Sequence, residues 1–141
     1  MQVRQLTEQI SVSPQILPGD LDTLAAAGFR SLVNNRPDGE AEDQPASAEL
    51  AAAAMQRGLA YRHIPVMPGS YEPATIDAMH RALEELPAPV LAFCRTGTRS
   101  TTLWALQAAR HTDADALVGI AGEAGYDLTA WVPRLRDARR A

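Results

Sequence analysis

Lysine is absent from this sequence of 141 residues, and all thirteen basic side chains are arginine. That excludes a Schiff-base amine and the phosphate-binding lysine of a Walker loop. Cysteine occurs once, at Cys94, so no internal disulfide can form and a reducing compartment suits the chain. Long apolar runs are missing too. No segment approaches the roughly 18–20 apolar residues that cross a bilayer, and the opening MQVRQLTEQISVSP lacks the apolar core of a signal peptide. The expected location is the cytoplasm. A formal net charge of −4 gives nucleic acid and anionic membranes no reason to be main partners. The histidines are few, and His80 and His111 fall on separate helical segments with no ligand spacing to each other or to Cys94. No metal or other cofactor is therefore expected.

What remains is an ordinary core-forming composition, 46% apolar and 21% charged, enough for one domain over residues 1–141. VRQL and QISVSPQI read as short edge strands. LPGDLDTLAAAG reads as a helix that Gly28 ends, and FRSLVNN as a strand running into the polar loop RPDGEAEDQP. Ser47 is placed to cap the helix AELAAAAMQR, which Gly58 closes. YRHIPV alternates like a strand and leads into the loop MPGSYE. Pro73 opens a helix whose Ile76, Met79, His80 and Leu83 share one face. PVLAF has the continuous apolar character of a central strand, and helices follow over about 99–110, 113–124 and 129–140. Strands alternating with helices predict an α/β fold with a central, mostly parallel sheet flanked by helices. Ligands in such folds bind beyond the carboxyl ends of the strands, so the loops at 34–40, 67–72 and 94–99 should converge.

The third of these loops, CRTGTRS, carries the chemistry. The first amides of a helix lack partners within it, and the helix dipole is positive there. With Gly97 free to take positive φ, the amides of Arg95, Thr96, Gly97, Thr98 and Arg99 can line an anion nest. A thiol at its mouth is stabilised as the thiolate, and sites of this kind lower cysteine pKa values to roughly 3.5–7.5. Arg99 is a planar fork suited to a tetrahedral oxyanion. A buried cysteine is otherwise a small hydrophobe, but that role gives no reason for Arg95, Gly97 and Arg99 beside it. Arg95 fits either the nest or solvent. Thr98 and Ser100 fit capping or bracing of the loop, and a hydroxyl near the sulfur would steady it as a leaving group.

GFRSLVNNRPDGE, YRHIPV and VLAFCRTGTRSTTLWAL, in that order, resemble the phosphatase-like domain of beta-lactamase-hydrolase-like proteins, over about residues 3 to 125. That family is similar in fold to dual-specificity and tyrosine phosphatases, which form a cysteine-phosphate intermediate. The resemblance implies Cys94 as nucleophile, the amides of 95–99 as phosphate cradle, Arg99 as oxyanion clamp and Ser100 as the residue after it. This sequence departs from the superfamily pattern in three ways. Phe93 stands where histidine is usual. Four residues (Arg95 to Thr98) separate Cys94 from Arg99 where five are usual. The loop MPGSYE lacks the aspartate that usually acts as general acid, a role worth about 10²–10⁴-fold. Asp38 could reach the site from the first convergent loop, and Glu72 from the second; both also fit ordinary turn and helix-start chemistry. VLAFCRTGTRS also resembles the active loop of rhodaneses, whose cysteine carries a persulfide and whose loop is typically six residues. That chemistry needs no general acid.

Elsewhere the signals are structural. Asn34 and Asn35 fit loop bracing, whereas Arg36 fits either bracing or contact with an anionic substrate. His63 reads as a structural histidine able to orient the loop. Trp104 and Trp131 fit helix packing rather than a stacking platform, and the arginines of RLRDARRA suit a helix C-terminus. Whole-chain resemblance thus predicts a cysteine-phosphatase-like hydrolase acting on a small anionic substrate, a phosphate ester or sulfur oxyanion. The loop alone favours a sulfurtransferase, and an anion-binding module without catalysis is the third reading.

Overall fold

Period-2 alternation and short apolar runs produce five strands in the computed structural model, which describes residues 1–140: β1 (Arg4–Gln5), β2 (Ile10–Ser13), β3 (Ser31–Asn34), β4 (Ala60–His63) and β5 (Val90–Phe93). They form one sheet in the order β1-β2-β5-β3-β4, with β1 antiparallel to β2 and the other pairs parallel. The helices are α1 (Leu21–Ala26), α2 (Ser47–Gln56), α3 (Pro73–Glu85), α4 (Thr98–Ala108), α5 (Ala114–Glu123) and α6 (Val132–Arg140), with 3₁₀ turns at Pro18–Asp20 and Thr129–Trp131. Ala141, the last residue of the arginine-rich tail, lies outside the described residues.

The sheet is buried on both faces, which is why β5 reads as a continuous apolar run. Val90 and Ala92 of β5 join Val33 and Val12 in a layer under α3, α4, α5 and α6. Leu91 and Phe93 point the other way and pack with Leu32, Ile16 and Leu50 under α1 and α2. The strand ends are in register: Ser13 and Asn34 both pair with Phe93, and Asn34 with His63. The loops that follow therefore leave the sheet at one level.

Three local expectations change. QISVSPQI is not an edge strand: β2 lies between β1 and β5 and is buried along its whole length. Its serines mimic a wet face, but the Ser13 hydroxyl turns to the Pro14 carbonyl at 2.9 Å. LPGDLDTLAAAG divides into a 3₁₀ turn and the six-residue α1, because the Asp20 carboxylate takes the Leu17 amide at 2.8 Å and tightens the entry. Ser47 is not the cap of α2 but its first residue. The capping acceptor is a carboxylate oxygen of Asp38, 2.8 Å from the Ser47 amide. The Ser47 hydroxyl instead meets the Tyr61 hydroxyl at 2.8 Å.

Candidate active site

Cys94 is the first residue after β5 and has no exposed surface, yet it belongs to neither apolar layer. Its Sγ accepts the Gly97 amide hydrogen at 3.1 Å. Gly97 stands at φ +95° immediately before α4, the left-handed conformation that the sequence called for. A side chain there would also collide with the Tyr126 hydroxyl. Arg99 and Ser100 follow in the first turn of α4, where the helix offers their amides no acceptor. The loop hydroxyls satisfy one another, Thr96 Oγ1 donating to Thr98 Oγ1 at 3.1 Å. Thr96, Thr98 and Arg95 are exposed.

The loops converge as their register requires, and a fourth joins them. Arg99 Nη1 donates to the Val66 carbonyl at 2.8 Å, the Asn35 amide donates to the Phe93 carbonyl at 2.8 Å, and the Gln15 amide reaches the Arg95 carbonyl at 3.3 Å. The partner of Arg99 is Glu40, a residue that sequence reasoning passed over. Nη1 and Nη2 grip its two carboxylate oxygens at 2.8 Å each. Glu40 Oε1 also accepts Arg36 Nε at 3.0 Å, and Arg36 Nη1 donates to Gln15 Oε1 at 3.0 Å. Arg36, 4% exposed, is thus a strut beneath the fork. Of the five N–H donors of Arg99, Glu40 and Val66 hold three. The Nε hydrogen and the second Nη2 hydrogen, one side of the fork, have no acceptor among the described residues.

The electrostatics follow from these contacts. The Arg99 hydrogen bond, with Arg36 adding to it, holds the Glu40 carboxyl below the usual range against the opposing effect of burial. Glu40 in turn raises Arg99, against its desolvation, and the nearby Cys94 adds to that rise. Burial pushes the Tyr71 phenol up; the Thr102 hydroxyl opposes this and the Cys94 charge reinforces it. Tyr126 is raised by burial and then by Cys94. Tyr71 comes from the loop before α3 and Tyr126 from the turn after α5. Tyr71 packs edge-on to Trp131 at 5.0 Å and 86°, while Arg134 stacks on Trp131 and donates to the Tyr71 carbonyl.

The remaining candidates have other partners. Asp38 is exposed and caps α2. Glu72 is exposed at the start of α3 and accepts the Ser70 hydroxyl at 3.3 Å. The Ser100 hydroxyl donates to Asn35 Oδ1 at 2.8 Å; Asn35 Nδ2, bonded to the Ile64 carbonyl at 2.9 Å, fixes that orientation. The hydrogen of Ser100 therefore goes to Asn35 and not to the sulfur. Asn34 accepts the Arg36 amide, and His63 Nε2 meets the Arg36 carbonyl at 2.9 Å, so both brace the first loop. A cavity of about 400 Å³ beside the loop is lined by Gln15, Arg36, Asp43, Gln44 and Arg95, and Cys94 is not part of it. The sequence did hold a signal for Glu40, since it ends the first convergent loop four residues after Arg36. Tyr126 gave none, because only folding brings it to the Thr96 carbonyl.

With this geometry in hand, comparison with known proteins is specific. Beta-lactamase hydrolase-like proteins of Xylella fastidiosa and Agrobacterium fabrum are 38% and 36% identical to this chain over 106 residues. The match takes in 75% of this chain but only 25% of each relative, so the chain spans about a quarter of their length. A candidate phosphatase from Neisseria meningitidis, solved by crystallography, superposes with a TM-score of 0.88 at 32% identity, covering 99% of both chains. At 11% identity, the core catalytic domain of the PP-IP phosphatase of S. cerevisiae shares the fold alone, with a TM-score of 0.69 over 99% of this chain and 84% of that one. The model of the phosphatase-like domain of beta-lactamase hydrolase-like proteins matches residues 2–111, and the chain belongs to that family.

Proposed function

We propose that this phosphatase-like protein is a cysteine-dependent hydrolase of small phosphate-bearing substrates, with Cys94 as nucleophile and Arg99 as oxyanion clamp. The observation that carries the reading is the pairing of an amide-bonded sulfur with an arginine whose fork is fixed from behind by Glu40. In the first step the thiolate electron pair attacks phosphorus. The S–P bond forms, the bond from phosphorus to the leaving oxygen breaks, and that oxygen takes its proton from water. In the second step water cleaves the S–P bond, releasing phosphate and restoring the thiolate, and the proton this water sheds neutralises the hydroxide left by the first step. The free side of Arg99 and the amides of residues 95–99 bind the equatorial oxygens, whose charge grows in the transition state. Arg95, Thr96, Thr98 and Ser100 complete the loop around them, and Arg36 supports Glu40 rather than meeting substrate.

No general acid is assigned. Asp38 caps a helix, Glu72 faces solvent, and Glu40, held below the usual carboxylate range, stays ionised at neutral pH and has no proton to give. Substrates with good leaving groups, aryl phosphate esters or acyl phosphate anhydrides, are therefore expected. The full burial of Cys94 favours slender ones.

The same two observations support a second reading, a sulfurtransferase. Thiosulfate is small, and its sulfite leaves without protonation. The thiolate attacks the outer sulfur, a persulfide forms on Cys94 as sulfite departs, and cyanide then takes that sulfur as thiocyanate. One experiment separates the two. The protein and its Cys94→Ser variant are incubated with an aryl phosphate, and in parallel with thiosulfate plus cyanide. Phosphate release that disappears with the sulfur supports the hydrolase. Thiocyanate, with one added sulfur atom in the mass of the intact chain, supports the transferase. If neither product forms, both catalytic readings fail and an anion-binding module remains.

A further inference from the structure

The peptide unit joining Thr96 to Gly97 lies between two functional groups. Its N–H donates to Cys94 Sγ at 3.1 Å, and its carbonyl oxygen accepts the Tyr126 hydroxyl at 3.2 Å. In a trans peptide these groups point to opposite sides, so one rigid plane bridges phenol and sulfur. The phenol also packs against the glycine: a Cβ on Gly97 would stand 2.9 Å from Tyr126 Cζ and 3.2 Å from Cε1. Tyr126 follows α5, beyond the residue 111 at which the family match ends.

We propose that Tyr126 is a positioning residue for Cys94, holding the Thr96–Gly97 peptide with its amide hydrogen on the sulfur. The proposal rests on the reading above that Cys94 works as a thiolate. Were this peptide to flip, a carbonyl oxygen would face the sulfur and repel its negative charge. Contact with the ring resists the flip at a residue whose glycine backbone is otherwise free to make it. The phenolic hydrogen bond also polarises the amide, making its N–H a stronger donor to sulfur. Burial and the Cys94 charge keep the phenol protonated through neutral pH, so it remains a donor there. Cys94 also raises Arg99 on α4 and Tyr71 before α3.

Since the chain has one cysteine, thiol alkylation reads this site alone. Iodoacetamide is reacted with the wild-type protein and with Tyr126→Phe, which keeps the ring and loses only the donor. Rates are taken from the rising limb of the pH profile up to the plateau at which the thiol is fully ionised, because only the thiolate reacts. Loss of one hydrogen bond should slow the reaction on the rising limb of the profile by about three- to tenfold while leaving the plateau rate unchanged. Tyr126→Ala should shift the ratio of the two rates further in the same direction. A wild-type ratio in Tyr126→Phe overturns the proposal. So does an equal change on the rising limb and at the plateau, which would mean the loop had merely loosened. Alkylation needs no substrate, so failure of both turnover assays would sink the proposed function without touching this result.

Discussion

Glu40 and Gly97 fix the site residue by residue. Glu40→Gln leaves Arg36 and Arg99 with a neutral partner that presents one oxygen and one N–H group. Because these side chains are only 5%, 20% and 12% exposed for Arg36, Glu40 and Arg99, the expected loss is about 2–4 kcal/mol of stability, with weaker oxyanion binding, read by melting and by phosphate or sulfate titration. The acid behaviour follows from the direction of the shift. Glu40 is lowered from an ordinary value of 4.5, so its contribution is complete above that pH and fades as the pH falls through the folded-state value. Melting temperature below about pH 4.5 should therefore fall more steeply in the wild type than in Glu40→Gln. Gly97→Ala faces both a positive φ and the Tyr126 phenol. In a Tyr126→Ala background the collision is gone and about 1–2 kcal/mol of backbone strain remains, so the two substitutions should be non-additive in a double-mutant cycle.

At the scale of elements, the first loop and α2 are joined by Asp38. Its carboxylate accepts the Ser47 amide of α2 across nine residues of sequence, as a local Ser or Asp cap would from the position before the helix. Asp38→Ala should cost about 1 kcal/mol, whereas Asp38→Asn, which keeps an acceptor oxygen, should cost little. Turnover of an aryl phosphate by Asp38→Asn should match the wild type. A loss of kcat confined to esters with poor leaving groups would instead return Asp38 to the role of acid. Further along the chain, α4 begins at the Cys94 loop and ends in the core. Thr101 and Thr102 return their hydroxyls to the Gly97 and Thr98 carbonyls at 2.8 Å each, which ties the loop to a helix whose Leu103 and Trp104 are buried. The loop is consequently rigid on its helix side and depends on Tyr126 on the other.

For the whole molecule, the segment beyond the family match forms part of the core. Leu117, Leu128 and Leu135 are buried against the layer that also contains Leu103, Trp104 and Leu106. Burying three leucines is worth about 5–9 kcal/mol, comparable with the entire stability of an ordinary domain. A chain ending after Thr112 should therefore fail to melt cooperatively, as measured by circular dichroism. The layered fold, the parallel sheet and the meeting of loops at one edge were legible in advance, because periodicity reports which faces are buried. Boundaries were less so: Ser11 and Ser13 disguised β2 as an edge strand, and the Asp20–Leu17 contact split the first helix.

By itself the sequence determined the turn that carries the candidate site. Cys94, Gly97 and Arg99 lie within six residues at a strand-to-helix junction, where backbone geometry and the helix dipole act locally. Only the tertiary structure decided what those groups face. The occupant of the Arg99 fork, the cap of α2 and the brace behind the Thr96–Gly97 peptide come from residues 59, 9 and 30 positions away. No local rule couples side chains at such separations. They meet because strands in register release their loops at one level and the buried faces of α4, α5 and α6 pack together.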